Sequence, residues 1–191
     1  LEECDRLTRL TEQLLALARE DSRLAQQAYQ PLDLAALVRG VVETMRPLAE
    51  AKRLQVSQQG EGSVMMHGDS VRLRQVFYNL LDNAIKYTPE RGAIDIRLER
   101  RGQEAIIVLR DTGIGIPAEH LPHIFERFYR VDKARSRAEG GIGLGLSIVH
   151  SIVAACGGRI ELDSVPGQGT VCTVTLPLEA TTSNGRQSGE R

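Results

Sequence analysis

The sequence has few of the features that mark secreted, membrane-spanning or nucleic-acid-binding proteins. It has only three cysteines, Cys4, Cys156 and Cys172, far apart and without metal-ligand spacing. Two of them lie in apolar runs, so we expect buried free thiols and a reducing compartment. A net charge of −1 gives no electrostatic reason for a nucleic-acid or anionic-lipid partner. No apolar run approaches the roughly 18 residues of a membrane helix, and no signal-peptide pattern is present.

What is present is a globular composition, 41% hydrophobic and 26% charged, enough for one ordinary domain with a segment appended. The chain begins at Leu1 rather than Met and already inside a periodic pattern, so we expect it to be a piece of a longer protein. Within residues 1–24 leucines recur at helical steps, at Leu7, Leu10, Leu14, Leu17 and Leu24. This predicts an amphipathic helix with a coiled-coil-like seam that needs a partner helix. Packing of the seam on the chain's own domain is the alternative.

The rest of the chain alternates strand and helix signals. We predict a strand at 29–34, a helix at 34–52 capped by Asp33, strands at 54–58 and 63–67, a helix at 70–87 capped by Asp69, a hairpin at 93–111, a helix at 143–156 and a hairpin at 159–178. The first hairpin alternates apolar and polar residues, so one face of its sheet is wet. The predicted fold class is α+β: a two-layer sandwich in which helices cover one face of a mixed, mostly antiparallel sheet, preceded by one long helix. We expect three parts: the helix within 1–27, a main domain at 28–178 and a disordered tail at 179–191.

The helix at 70–87 ends in polar groups where leucines would bury more surface. At about 100° per residue, one side carries a polar stripe made of Arg72, Gln75, Asn79, Asp82, Asn83 and Lys86. A solvated face is the plain explanation. Asparagine, however, is a mediocre helix former, and Asn79 and Asn83 stack two amide oxygens at i, i+4, with Lys86 close behind. Neutral oxygens beside a cation suit a hard metal ion that carries phosphates.

A second cluster is "RDTGIGIP" at 110–117. Asp111 ends a predicted strand on its inward face, where a buried acceptor must find a donor. The exocyclic amine of a purine is one candidate donor, and a structural backbone amide is the other. Gly113 and Gly115 would let the backbone turn closely around a ligand.

Two glycine-rich segments follow. "GGIGLGLSIV" at 140–149 opens a helix whose first-turn amides are free to hold phosphate oxygens. In the strand after "GQGT" at 167–170, the Thr170 hydroxyl should point inward near Asp111. Each segment alone is weak evidence, since a glycine run or a hairpin turn has ordinary structural uses.

Two other kinds of nucleotide site are disfavoured. The chain has no G-x-x-x-x-G-K-[ST], so it is not a P-loop enzyme. "GIGIPA" at 113–118 fits the Rossmann pattern G-x-G-x-x-A, but hairpin strands precede it, Pro117 interrupts it, and the other clusters would stay unexplained.

Taken in order, the four clusters resemble the ATP-binding domain of sensor histidine kinases, part of the wider group with the ATPase domains of gyrase, Hsp90 and MutL. The resemblance covers about residues 29–178. "NLLDNAIKYT" matches the N box, "DTGIGIP", "GGIGLGLSIV" and "GQGT" the three glycine boxes, and "IFERFYRVD" at 124–132 the F box. The F box and the "RLTRLTEQLLALAR" register are similar to histidine kinases in particular, where such a helix is the second helix of the dimerising hairpin. The resemblance implies a Bergerat-type ATP-binding fold.

The resemblance also implies site roles. Asn83, helped by Asn79, would coordinate Mg²⁺, and Lys86 would meet phosphate. Tyr87 would lie beside the adenine. Arg130 would reach the γ-phosphate, which makes Asn83, Lys86 and Arg130 the implied catalytic residues.

Further implied contacts come from the strands and the loop between them. Asp111, supported by Thr170, would accept from the adenine amino group. The implied nucleotide-binding backbone of the lid comprises Gly113, Gly115, Gly141, Gly143, Leu144 and Gly145. Phe125 and Phe128 would anchor the lid, with core packing as the alternative.

None of the four histidines has the setting of a phosphoacceptor. His120 and His123 form H-x-x-H with no further ligand nearby, His67 precedes a helix cap, and His150 lies mid-helix. The family's acceptor stands in a Ser-His-Glu setting followed by Thr-Pro, which is absent, so we expect it to precede Leu1.

The resemblance implies ATP and Mg²⁺ as ligands, and as partners a phosphoacceptor hairpin within a homodimer and a response regulator. It implies a cytoplasmic location for this piece, without direct membrane contact or nucleic acid, and an inner-membrane anchor for the full-length protein. An ATPase or serine kinase of the same superfamily, and a nucleotide-binding module without turnover, are the alternative functions.

Overall fold

The computed structural model describes residues 29–60, 62–131 and 142–178. The predicted leucine-seamed helix of residues 1–27, the predicted tail of 179–191 and Gly141 lie outside the described residues. The strands are β1 (Gln30–Asp33), β2 (Gln55–Gly60), β3 (Met65–Gly68), β4 (Ala93–Arg101), β5 (Glu104–Asp111), β6 (Arg159–Val165) and β7 (Gly169–Pro177). The helices are α1 (Leu34–Ala51), α2 (Ser70–Tyr87) and α3 (Gly145–Ala155), with a 3₁₀ helix at Ala118–His123.

Two aspartates start the first two helices, as the sequence predicted. Asp33 Oδ1 accepts hydrogen bonds from the backbone N–H groups of Ala35 at 3.0 Å and Ala36 at 3.3 Å. Asp69 Oδ1 does the same at the start of α2 for the next two free amides. Each cap satisfies amides that have no intrahelical acceptor and contributes about 1 kcal/mol. The helix α2 ends at Tyr87, and the next residue, Thr88, has the extended backbone that suits a residue before proline.

The sheet is mixed. Five strands run in the order β2-β4-β5-β7-β6, with β2 parallel to β4 and every other neighbouring pair antiparallel. The strands β1 and β3 form a separate antiparallel pair. This arrangement confirms the predicted α+β class.

The three helices and the sheet share one core. The inner face of the sheet supplies Ile94, Ile96, Leu98, Ala105, Ile107, Leu109, Cys172, Val174 and Leu176, all buried. The helices bury Leu73, Phe77 and other apolar side chains against that face. Each fully buried side chain of this size contributes about 1.5–3 kcal/mol. The opposite face is polar: Asp95 on β4 makes solvent-exposed hydrogen bonds with Ser57 and Arg97.

The part of the chain that the structure describes holds no helix long and apolar enough to cross a bilayer.

Candidate functional site

The polar stripe of α2 is covered rather than solvated. All of its members, Arg72, Gln75, Asn79, Asp82, Asn83 and Lys86, are half-buried. The exposed positions of the helix include Val71 and Tyr78, whose side chains are 75% and 48% exposed. The helix therefore buries its apolar face as amphipathicity predicts, and in addition its polar stripe is partly covered, which a solvated face would not require.

The two asparagines face the first turn of α3. A Cβ built on Gly145 would lie 3.9 Å from Asn83 Nδ2 and 4.0 Å from Asn79 Cγ. Asn79 Nδ2 is buried and has no hydrogen-bond partner among the described residues. The residue preceding α3, Leu144, provides no side-chain cap, so this position offers the first amides of the helix no side-chain acceptor. Side-chain amides beside a helix start without a side-chain cap suit a phosphate-bearing ligand, and amide oxygens are ligands that a hard cation on that phosphate would accept.

Asp111 is a buried carboxylate at the end of β5. Its Oδ1 accepts from the backbone N–H groups of Gly113 at 2.8 Å and Thr170 at 3.2 Å, and neither bond uses Oδ2. Burial raises the pKa of this carboxyl above its ordinary value, although both amide bonds act to lower it. The structural alternative from the sequence analysis, a backbone amide as the donor to Asp111, is therefore present at Oδ1. Oδ2, which neither amide uses, can act as an acceptor for a ligand's donor.

The inner face of the sheet becomes polar at this end. Asp111, Thr170 and Ser164 are successive partners across β5, β7 and β6, so their side chains share one face. The Thr170 hydroxyl lies 2.9 Å from Ser164 Oγ on the opposing strand. Thr170 contacts Asp111 through its backbone amide, which donates to Oδ1. Ser164 also accepts from Ile116 N at 2.8 Å, which ties the first glycine loop to β6.

The end of α2 abuts that glycine loop. Ile114 N donates to Tyr87 O at 3.1 Å, and a Cβ on Gly113 would lie 2.8 Å from the same oxygen. The Lys86 ammonium lies 5.9 Å from the centroid of the Tyr87 ring. Gly115 adopts φ +69°, and a side chain there would collide with Val165 O. These contacts place Lys86, Tyr87 and Asp111 around one loop.

Arg130 lies beside the second glycine segment. Gly143 has φ +80°, and a Cβ there would lie 2.7 Å from Tyr129 O and 3.1 Å from Arg130 Cγ. Phe128 N donates to Gly143 O at 2.9 Å, which joins the two segments. Within the described ranges, Nε and Nη2 of Arg130 are buried without a hydrogen-bond partner. A buried cation without partners is costly, so an anionic ligand fits here.

The aromatic and histidine side chains of this region mostly pair with one another. His120 Nδ1 lies 2.7 Å from Tyr129 Oη, and His123 Nδ1 lies 2.6 Å from Glu126 Oε1. Phe125 stacks on His150 of α3, with ring centroids 5.3 Å apart. Phe128 is 58% exposed and so does not pack in the core. Among the residues described, no group of three or more His, Cys, Asp or Glu side chains could hold a metal ion.

The structure thus brings the predicted residues together in two groups. Asn79, Asn83, Arg130, Gly143 and Gly145 lie around the start of α3, and Lys86, Tyr87, Asp111, Gly113, Gly115 and Thr170 around the first glycine loop. The Leu144 side chain is buried in the core, so only its backbone can meet a ligand. Gly141 lies outside the described residues.

The sequence analysis missed two residues that support the site. Ser164 could have been found from strand parity, because Ile160 and Leu162 share its inward face. Lys52 donates from its ammonium to the end of α2. Nothing in the sequence indicated this contact, apart from the position of Lys52 at the end of a predicted helix.

The fold and the site define a two-layer domain with a nucleotide-type site between a helix start, a helix end and a strand end. Residues 68–180 match the family model described as histidine kinase-, DNA gyrase B-, and HSP90-like ATPase, and the chain belongs to this family. It is 39% identical over 180 residues to the sensor histidine kinase YkoH of Bacillus subtilis, an alignment that covers 94% of this chain and 38% of YkoH.

Solved structures agree with this family. The mycobacterial sensor histidine kinase MprB matches with a TM-score of 0.69 and 29% identity, over 80% of this chain and 99% of that chain. Full-length ShkA in complex with AMPPNP matches with a TM-score of 0.79 and 30% identity, over 92% of this chain and 36% of that chain. The chain spans about two fifths of the length of curated relatives such as YkoH, 38% in that case.

Proposed function

We propose that this chain is the ATP-binding catalytic part of a sensor histidine kinase. It would hold ATP with Mg²⁺ and pass the γ-phosphoryl group to a histidine on a dimerisation helix. The observation that carries the proposal is the pair of asparagine amides against the uncapped start of α3, with one amide nitrogen buried and unpartnered.

The adenine end of the proposed site rests on Asp111. Its Oδ2 would accept from the exocyclic amine, while the amides of Gly113 and Thr170 hold Oδ1 and fix the plane of the carboxylate. Tyr87 would lie beside the base, because its backbone carbonyl is fixed to the same loop. The burial that raises the pKa of Asp111 also strengthens a hydrogen bond made there.

The phosphate end would rest on Lys86, Arg130 and the first amides of α3, with the glycine backbone allowing close approach. Asn83 and Asn79 fit a magnesium ion through their amide oxygens, and such an ion supplies neutralisation of phosphate charge. In the transfer, an imidazole nitrogen forms a bond to the γ-phosphorus as the bond to the ADP oxygen breaks. The protein's part is positioning and charge compensation, with no covalent intermediate on these residues.

The acceptor we place outside the described residues. His120 and His123 are engaged with Tyr129 and Glu126, and His150 stacks on Phe125. An unpositioned nucleophile forfeits most of the roughly 7–11 kcal/mol that orientation can supply. The dimerising hairpin, the response regulator, the cytoplasmic location and the membrane anchor of a longer protein belong to the same proposal, supported by relatives that are named sensor histidine kinases.

The test has a binding part and a transfer part. ATP affinity is measured calorimetrically with Mg²⁺ and with a chelator, for the parent, Asn83→Ala and the matched control Gln75→Ala from the same half-buried stripe. We expect Asn83→Ala to lose the magnesium-dependent part of the affinity and Gln75→Ala to keep it. Equal affinity in all three proteins would contradict the placement of the metal.

The transfer part uses γ-labelled ATP. We expect the chain alone to stay unlabelled, and an added hairpin that carries the family's histidine to acquire an acid-labile mark. Binding without any transfer or hydrolysis would favour the nucleotide-binding module. Rapid stoichiometric labelling of the chain alone would contradict the placement of the acceptor outside it.

A further inference from the structure

The end of α2 is closed by a side chain from another helix. The last carbonyls of a helix have no intrahelical donor. Lys52 Nζ donates to Ile85 O at 2.9 Å and to Lys86 O at 2.7 Å, across more than thirty positions of sequence. Lys52 itself follows α1, and its backbone N–H caps that helix by bonding to Ala49 O and Glu50 O. One residue therefore closes two helices.

The physical chemistry favours this arrangement. A cation at a helix C-terminus interacts favourably with the negative end of the helix dipole. Both bonds are charge-assisted, which makes them roughly twice as strong as bonds between neutral groups. Two of the three ammonium donors are used, and both bonds are partly buried, which limits screening by water.

The next carbonyl links this junction to the first glycine loop. Tyr87 O accepts from Ile114 N at 3.1 Å. Three successive carbonyls, those of Ile85, Lys86 and Tyr87, are therefore held, two by Lys52 and one by the loop that follows Asp111. The residues proposed to meet phosphate and adenine belong to this clamped stretch.

We propose that Lys52 is a positioning residue of the nucleotide site. Its ammonium holds the last turn of α2 so that Lys86 and Tyr87 stay aligned with the loop that carries Gly113. This inference rests on the proposed function, since it concerns the same site. Without the ammonium, two carbonyls lose their donor and the last turn frays, which weakens the bond from Ile114 as well.

The test compares Lys52→Met, Lys52→Arg and Asp33→Ala. Lys52→Met keeps the apolar stem and removes the donors, and Lys52→Arg returns donors to the same place. Asp33→Ala is the control, because it removes a helix cap from the opposite end of α1, away from the site. Thermal unfolding, ATP affinity by calorimetry, and hydrogen exchange at the Ile114 amide are measured for each.

We expect Lys52→Met and Asp33→Ala both to lower the melting temperature. Only Lys52→Met should weaken ATP binding, by about tenfold. A loss of this size is comparable to the net contribution of one hydrogen bond. It should also speed exchange at the Ile114 amide, and Lys52→Arg should restore most of both. If Lys52→Met does not fold, Lys52→Gln, which retains one donor group, is judged by the same criteria.

The outcomes separate the two proposals. ATP affinity within twofold of the parent, together with unchanged exchange at Ile114, would overturn the role of Lys52 and leave the proposed function intact. Equal losses of affinity in Asp33→Ala and Lys52→Met would also overturn it, because stability alone would then explain the effect. Failure of the parent itself to bind ATP would instead overturn the proposed function.

Discussion

Asp111→Asn separates the recognition of the base from the stability of the fold. The asparagine Oδ1 can keep the two bonds from Gly113 and Thr170, while an NH₂ group replaces Oδ2. A donor then faces the exocyclic amine of adenine, itself a donor. Leaving buried groups unpaired in this way costs about 1–3 kcal/mol, and each 1.4 kcal/mol is tenfold in affinity. We therefore expect ATP affinity to fall by about 5- to 150-fold.

The same substitution should not weaken the protein without ligand. Burial raises the pKa of Asp111, so the folded state disfavours the ionised form. The stability linked to this group is complete below its ordinary pKa of 3.8 and is lost as pH rises through the higher folded value. Above the folded-state pKa of Asp111 the asparagine removes that loss, so the melting temperature of the variant should equal or exceed the parent's. The advantage should shrink as the solution is acidified.

Asp95→Asn is the matched control on the neighbouring strand. Its carboxylate bonds to Ser57 and Arg97, and the Ser57 bond is the main cause that lowers its pKa. Its stabilising effect is therefore present above the ordinary pKa and is lost as pH falls through the lower folded value. This variant should lose some stability at neutral pH and leave ATP affinity unchanged.

Calorimetric titration with ATP and thermal unfolding across pH, run on both variants, check these expectations. ATP affinity of Asp111→Asn within twofold of the parent would refute the placement of adenine on Oδ2. A marked loss of stability without ligand, measured above the folded-state pKa, would refute the claim that ionisation of this carboxyl costs stability.

Three further substitutions probe the loops. Gly115→Ala should destabilise the fold by about 1–3 kcal/mol, because φ is positive and the new Cβ collides with backbone; Gly102→Ala, with φ also positive but open space around it, should cost less, and equal melting temperatures would contradict the collision. Arg130→Met should cut phosphoryl transfer while leaving thermal stability equal or higher, since it removes two buried nitrogens that no described residue pairs with; a large drop in melting temperature would contradict this. Ser164→Ala should lower the free energy of unfolding, because the Ile116 N–H loses its acceptor, the Ser164 hydroxyl. Denaturant titration measures this loss.

The fold was predictable because its signals are local and agree with one another. The aspartates that cap α1 and α2 precede clean apolar periodicities, and the turn through Arg101-Gly102 follows strict alternation in β4. Where propensity, capping and periodicity agree, one sequence window suffices. The parallel pairing of β2 with β4 depends on contacts distant in sequence, and the sequence analysis did not predict it.

The site was predictable in its residue types but not in its bonding. Asn79, Asn83 and Asp111 stood out because their polarity conflicts with their local environment. Two details depend on which strand or helix end lies opposite: the bond from the Thr170 amide to Asp111, and the junction made by Lys52. Such choices are fixed by tertiary packing over distances that no sequence window spans.

The polar groups of the protein follow two different patterns, and the contrast indicates where a ligand belongs. On the outer sheet face Asp95 satisfies its charge within the protein. At the site, Asn79 and Arg130 hold buried nitrogens that have no hydrogen-bond partner among the described residues, and burial raises the pKa of Asp111, so its ionised form is disfavoured. Folding alone selects against all three features, because each costs stability. Their concentration around one helix start and one glycine loop is the arrangement expected when a charged ligand supplies the missing partners.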